Sequence, residues 1–223
     1  MPAFGPCRGK GDAMWRALAA TTGKIVAYVD ADSEDFDERM LTGLLAPLFA
    51  RPDLALVKGA FQRPFAAGGD VLPGEGGRVT ELMARPLLNL HRPGLAGFAQ
   101  PLAGEVAARR ELLERLTFPV GYGVEIAMLL DGEQLVGLDA LAQADLGSRQ
   151  NRHQPLDALS AMSYAVLVAA SRRLLGPDAV DALAPGPYVL PRPGEADVRQ
   201  VPVEERPPHL RASRPTVAGT APA

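Results

Sequence analysis

The chain has 223 residues, 47% of them hydrophobic and 22% charged, a balance that excludes disorder throughout and suits one large domain, or one domain with a tail. With 23 Lys and Arg against 26 Asp and Glu the net charge is −3, so no global basic field gathers nucleic acid, and anionic substrates need local cations or a metal. The single cysteine, Cys7, excludes an internal disulfide. No Cys/His spacing suggests zinc, no apolar run reaches ~18 residues, and the N-terminus lacks the apolar core of a secretory leader, which predicts a cytoplasmic protein with no membrane insertion and no nucleic-acid partner.

In chain order, Met14, Trp15 and Leu18 fall at helical spacing within Asp12 to Ala20, and Lys24 to Val29 is a short β-rich run ending at Asp30. Ser33 can cap a helix with an acidic first turn (Glu34, Asp35, Asp37, Glu38) and apolar positions Met40, Leu41, Leu44, Leu45 and Leu48 on one face. Leu54 to Phe61 reads as a strand, and Val79 to Leu90, Gly104 to Leu116 and Val124 to Leu135 as helices. Leu138 to Leu146 reads as extended, and Pro155 to Leu175 as the longest helix, stopped by Gly176-Pro177. The alternation predicts an α/β layer architecture with a mostly parallel sheet over residues 1–183. Residues 184–223 hold nine prolines and few large apolar side chains, the composition of a disordered tail.

Asp30-Ala31-Asp32 directly follows an apolar strand. Open α/β sheets place ligands at the carboxyl ends of their strands, where two carboxylates one residue apart can grip a hard divalent cation that bridges phosphates. Equally, one Asp of such a pair can cap the next helix while the other is merely solvated. Upstream, Gly9-Lys10-Gly11 opens a helix, where backbone N–H groups and an ammonium can meet phosphate oxygens, although the full phosphate-loop pattern is missing. Arg78, at a glycine-rich turn entering a helix, offers a guanidinium fork to a phosphate or carboxylate. It can equally be an ordinary surface residue at a helix start. Glu125, three residues after Tyr122, can bond sugar hydroxyls or simply favour the helix dipole.

Gly9-Lys10-Gly11, a helix, an apolar strand and Asp30-Ala31-Asp32 together resemble nucleotide-sugar glycosyltransferases of the GT-A fold, which is Rossmann-like. Further motifs sharpen the likeness: Gly76-Gly77-Arg78-Val79-Thr80-Glu81-Leu82, Gln100-Pro101-Leu102-Ala103-Gly104-Glu105, Gly121-Tyr122-Gly123-Val124-Glu125-Ile126 and Leu138-Asp139-Ala140-Leu141-Ala142-Gln143. With these the chain, from Gly9 to Leu174, is similar to the glucosyl-3-phosphoglycerate synthase family. The resemblance implies retaining transfer of glucose from an NDP-glucose, usually UDP-glucose, to the 2-hydroxyl of 3-phosphoglycerate, by a front-face route without an enzyme nucleophile. It further implies Mg2+ or Mn2+, a homodimer formed through a helical C-terminal region, and an N-terminal βαβ portion that does not occur ahead of Gly9 in this sequence.

Carried over by position, the resemblance gives Lys10, Asp30, Ala31 and Asp32 to the donor and its metal. It gives Gly77, Arg78 and Thr80 to the acceptor, and Tyr122 and Glu125 to the acceptor and sugar, with Glu125 and Asp32 as the catalytic residues. In the family a histidine completing the metal site precedes an asparagine near the acceptor by two residues. Here the types are exchanged: Asn151 occupies the first position and His153 the second. Asn151 is thus expected at the acceptor and His153 with Asp30 and Asp32 at the metal, the exchange leaving open which of the two ligates. Two other readings remain open at this point: a mannosyl-3-phosphoglycerate type of transferase, and a degenerate, non-catalytic fragment.

Overall fold

A computed structural model describes residues 4–31, 36–67, 70–72, 77–149, 154–176, 178–179 and 182–210. Its centre is a four-stranded sheet in the order β1 (Ile25–Tyr28), β5 (Val106–Arg109), β2 (Leu56–Gln62), β7 (Leu141–Ser148). The expected mostly parallel pairing is only partly met. β2 and β7 are parallel, but β5 runs antiparallel to both β1 and β2. The stretch expected to be helical over Gly104 to Leu116 supplies that antiparallel strand, followed by the four-residue α4 (Arg110–Leu113). Val106, Ala107 and Ala108 are all buried between layers, and an apolar run covered on both faces carries no period to separate strand from helix.

The strand period of two divides the core. Leu56, Val106 and Ala108 face one side, packing with Trp15 and Leu18 of α1 (Lys10–Ala20), Ile126 and Leu129 of α5 (Val124–Val136), and Val166 of α6 (Leu156–Leu174). Val57 and Ala107 face the other, against Leu44 and Leu48 of α2 (Glu38–Ala50). Each of these sealed leucines contributes roughly 2 kcal/mol of burial. Asp37 rather than Ser33 caps α2, accepting from the Arg39 backbone N–H at 2.8 Å; Ser33 lies outside the described residues. A short β3–β4 hairpin (Phe65–Ala67, Asp70–Leu72) precedes a helical stretch from residue 78 that passes through a π-turn at Thr80–Ala84 into α3 (Arg85–His91). No helix of the described residues is long and apolar enough to cross a membrane.

Within the tail expected to be disordered, residues 184–210 are ordered. β8 (Tyr188–Arg192) and β9 (Glu195–Arg199) form a hairpin, and β10 (Glu205–Arg206) pairs with β6 (Phe118–Pro119). Its anchors are long-range. Arg173 on α6 bonds Asp131 and Glu205, each at 2.8 Å. Trp15 Nε1 donates to Pro207 O at 2.8 Å, and His209 stacks on the Trp15 ring, 4.2 Å between centroids. Arg206 reaches Asp12 of α1 at 2.8 Å. Asp12 is sealed from solvent and also receives the Arg8 N–H and Arg16; burial opposes its charge, but these donors outweigh burial and hold its pKa well below the carboxylate range.

Candidate active site

β1 delivers Asp30 to the rim of the sheet, with Ala31 in the turn just beyond. Lys10 meets it from the first residue of α1. The Lys10 ammonium lies 2.6 Å from Asp30 Oδ1 and 2.7 Å from Glu125 Oε1, and Glu125 sits buried in the first turn of α5. Gly104 closes over the group, and a Cβ there would collide with both the Asp30 carboxylate and the Lys10 ammonium. Burial works against the ammonium, but Glu125 and Asp30 outweigh it and raise the Lys10 pKa above its ordinary value, so the residue is charged at any physiological pH.

The two glycines beside Lys10 serve packing rather than a phosphate cradle. A Cβ on Gly9, whose φ is +142°, would stand 2.7 Å from Val120 O, and one on Gly11 would collide with Pro119 O. The Asp12 N–H is spent on Val120 O at 3.1 Å. What these glycines permit is close approach of α1 to the segment entering α5, and that approach brings Lys10 onto Glu125.

Beneath this group lies a charged layer that the sequence reading missed. Lys58, at an inward position of β2 and 1% exposed, donates from Nζ to Ala103 O at 2.8 Å. Burial pushes its pKa down to about 8, against the pull of Glu125. Glu105 and Arg149 form an ion pair with both side chains sealed, and the Arg149 N–H bonds Gln62 O at 2.9 Å. Arg149 and Arg63 both lie over the Phe61 ring, at 5.5 and 5.1 Å. The one available signal was Lys58 itself, a cation inside the apolar run Leu56-Val57-Lys58-Gly59-Ala60-Phe61.

The expected acceptor residues form a second group. Gly77 takes a φ of +78°, and its carbonyl accepts the Glu81 N–H at 3.0 Å to start the helical stretch. Thr80 is buried just inside, and Arg78 Nη2 donates to Gln154 O at 2.8 Å. That bond ties the turn to the start of α6. Tyr122 stands exposed in the turn leading into α5. Asp32, Asn151 and His153 lie outside the described residues.

The residues present fit a hard divalent cation in part. Asp30 offers carboxylate oxygen at a strand's carboxyl end, the donor chemistry of Mg2+ or Mn2+, while Lys10 already neutralises some of its charge. Among the described residues no group of three or more His, Cys, Asp or Glu is placed to hold a metal. The other two expected ligands, Asp32 and His153, are outside them.

No family model matches the chain. A crystal structure of glucosyl-3-phosphoglycerate synthase from Mycobacterium tuberculosis, in complex with Mn2+, UDP-glucose and phosphoglyceric acid, is 39% identical and superposes with a TM-score of 0.79 over 94% of this chain and 68% of that one. This chain belongs to the glucosyl-3-phosphoglycerate synthase family. Its architecture is accordingly that of the GT-A glycosyltransferases, in part. The glucosyl-3-phosphoglycerate synthase of Mycolicibacterium smegmatis is 48% identical over 167 residues, 75% of this chain and 55% of that protein. The mannosyl-3-phosphoglycerate synthase structure from Rubrobacter xylanophilus is 44% identical, with a TM-score of 0.77 over 93% of this chain and 69% of that one. The chain spans about half the length of the curated relatives it matches.

Proposed function

We propose that the protein is a retaining glycosyltransferase that moves glucose from UDP-glucose to the 2-hydroxyl of 3-phosphoglycerate. The observation that carries this reading is the Lys10 ammonium gripped by Asp30 and Glu125 at the sheet rim, with the Gly104 backbone pressed on it. Breaking the sugar–phosphate bond builds negative charge on the departing diphosphate, and a fixed, permanently charged ammonium stabilises that charge without reorganising. Glu125 holds Lys10 in place and can accept hydrogen bonds from sugar hydroxyls. Asp30, with Asp32 and His153, would hold Mn2+ or Mg2+, which supplies Lewis-acid charge to the diphosphate. Gly77, Arg78 and Thr80 bind and orient the anionic acceptor, with Tyr122 and Asn151 alongside, and Asp32 and Glu125 are the catalytic carboxylates, the first through the metal and the second at the sugar. The proposal includes a cytoplasmic homodimer, for which sedimentation of the purified chain is expected to return twice the mass of one copy.

The test is product analysis after incubating the protein with Mn2+, 3-phosphoglycerate and, in parallel, UDP-glucose, GDP-glucose or GDP-mannose. An α-linked glucosyl product from UDP-glucose supports the reading. A product from GDP-mannose alone would install the second reading, mannosyl transfer, which the likeness to the Rubrobacter enzyme favours. No product together with no binding of any substrate would leave a non-catalytic fragment.

A further inference from the structure

Arg63 has a role in neither the Lys10 group nor the Gly77 turn as described so far, yet it lies between them. It follows β2 directly, and its guanidinium is stacked 5.1 Å from the centre of the Phe61 ring. Arg149 shares that ring but is already matched by Glu105 in a sealed ion pair. Arg63 has no such carboxylate partner among the described residues, and its buried Nε, like that of Arg149, meets no hydrogen-bond acceptor. A guanidinium withdrawn from water with an unmet N–H is unfavourable until an anion arrives. Burial accordingly lowers its pKa, opposed by Glu105 and Asp30.

Its stem lies on the acceptor turn. A Cβ placed on Gly77 would be 3.5 Å from Arg63 Cδ and 3.8 Å from Thr80 Oγ1, so Arg63 and Thr80 border the same glycine. Arg78, next in the chain, directs its guanidinium to Gln154 at the start of α6. One turn is thus met by the stem of one arginine and followed by another. The Arg63 guanidinium reaches away from the turn, over Phe61 and within electrostatic reach of Glu105, Asp30 and Glu125, the cluster assigned to sugar transfer.

This difference matches the shape of a phosphorylated 2-hydroxy acid. Its carboxylate is bonded to the same carbon as the reacting hydroxyl, whereas its phosphate is a carbon and an oxygen further away. We propose that Arg63 binds the acceptor's carboxylate while Arg78 takes its phosphate, so that Arg63 makes the cleft select a phosphorylated acid over a phosphorylated alcohol. The inference rests on the acceptor reading above and adds to it a specificity-determining residue.

The experiment is calorimetric titration of the whole chain, with Mn2+ present, by D-3-phosphoglycerate and by sn-glycerol 3-phosphate, which keeps the phosphate and replaces the carboxylate with a hydroxymethyl group. The parent protein is expected to prefer the acid. In Arg63→Gln the Kd for 3-phosphoglycerate should rise about 10- to 100-fold, the loss of one charge-assisted pair, while that for glycerol 3-phosphate stays within about twofold. Arg63→Lys should recover part of the preference, and because the readout is a ratio between two ligands on one folded protein, a general loss of stability does not mimic it. Equal weakening of both ligands, or an unchanged ratio, would overturn the assignment while leaving the acceptor site standing. A parent protein that binds neither ligand would overturn the acceptor site itself, and Arg63's role with it.

Discussion

The two groups of charged residues solve their electrostatics in different ways. In the Lys10 group, proposed for sugar transfer, every charge has an internal partner: Lys10 bridges Asp30 and Glu125, Glu105 pairs with Arg149, and Lys58 is tied to the Ala103 carbonyl. Around the Gly77 turn, by contrast, Arg63 carries a buried Nε that meets no acceptor, and Arg78 donates to a backbone carbonyl, Gln154 O. The first arrangement holds its geometry before any ligand arrives, as a transition state of changing charge demands. On the proposed reading, the second is completed by an anion from solution. Substitution of Lys10 should therefore weaken the fold itself, and substitutions at the Gly77 turn should weaken ligand binding chiefly.

The largest expected effect on stability is that of Lys10→Met, which leaves Glu125 and Asp30 facing each other without their cation. Breaking a largely buried pair from one side costs about 3 kcal/mol, to be read from urea unfolding at neutral pH; a variant as stable as the parent would remove the internal-partner account of that group.

Lys58 gives an effect of similar size that depends on pH. Its folded pKa of about 8 lies below the ordinary 10.5, so between those values the unfolded chain holds a proton that the folded chain has released. Stability should then rise with pH across that interval, by up to about 3 kcal/mol. Below pH 8 the ammonium is charged in both states and the burial penalty is present in full. Lys58→Met should lose this rise, and parallel pH profiles for the two proteins would contradict the assignment. Smaller again is Gly104→Ala, whose added methyl collides with Asp30 and Lys10. Overpacking of this kind costs about 2 kcal/mol, and an unchanged thermal midpoint would show that the two side chains move aside freely.

How much of this was legible beforehand follows from how local each feature is. The helix opened by Lys10, the strand ending near Asp30, the helical stretch behind Arg78 and the long α6 all carry their own period or stop signals, and they were found within a few residues of their observed bounds. Val106 to Ala108 carried none, because burial on both faces erases alternation. Lys58, Glu105 and Arg149 were missed because an isolated charge in a sequence reads as solvated, and only the fold brings Glu105 and Arg149, 44 residues apart, into one pair. The ordered tail was missed for a related reason. Its prolines and short apolar runs look disordered, yet Arg206 and His209 are held by Asp12 and Trp15, each 194 residues away.

The most direct test of this division of labour is calorimetric titration of 3-phosphoglycerate into the parent chain and into Arg78→Ala, alongside urea unfolding of both. Arg78 is proposed to bind the acceptor, so its loss should abolish measurable binding while costing only about 1 kcal/mol of stability for the lost bond to Gln154, leaving the protein folded. Binding that survives in Arg78→Ala, or that disappears only because the protein unfolds, would contradict the account.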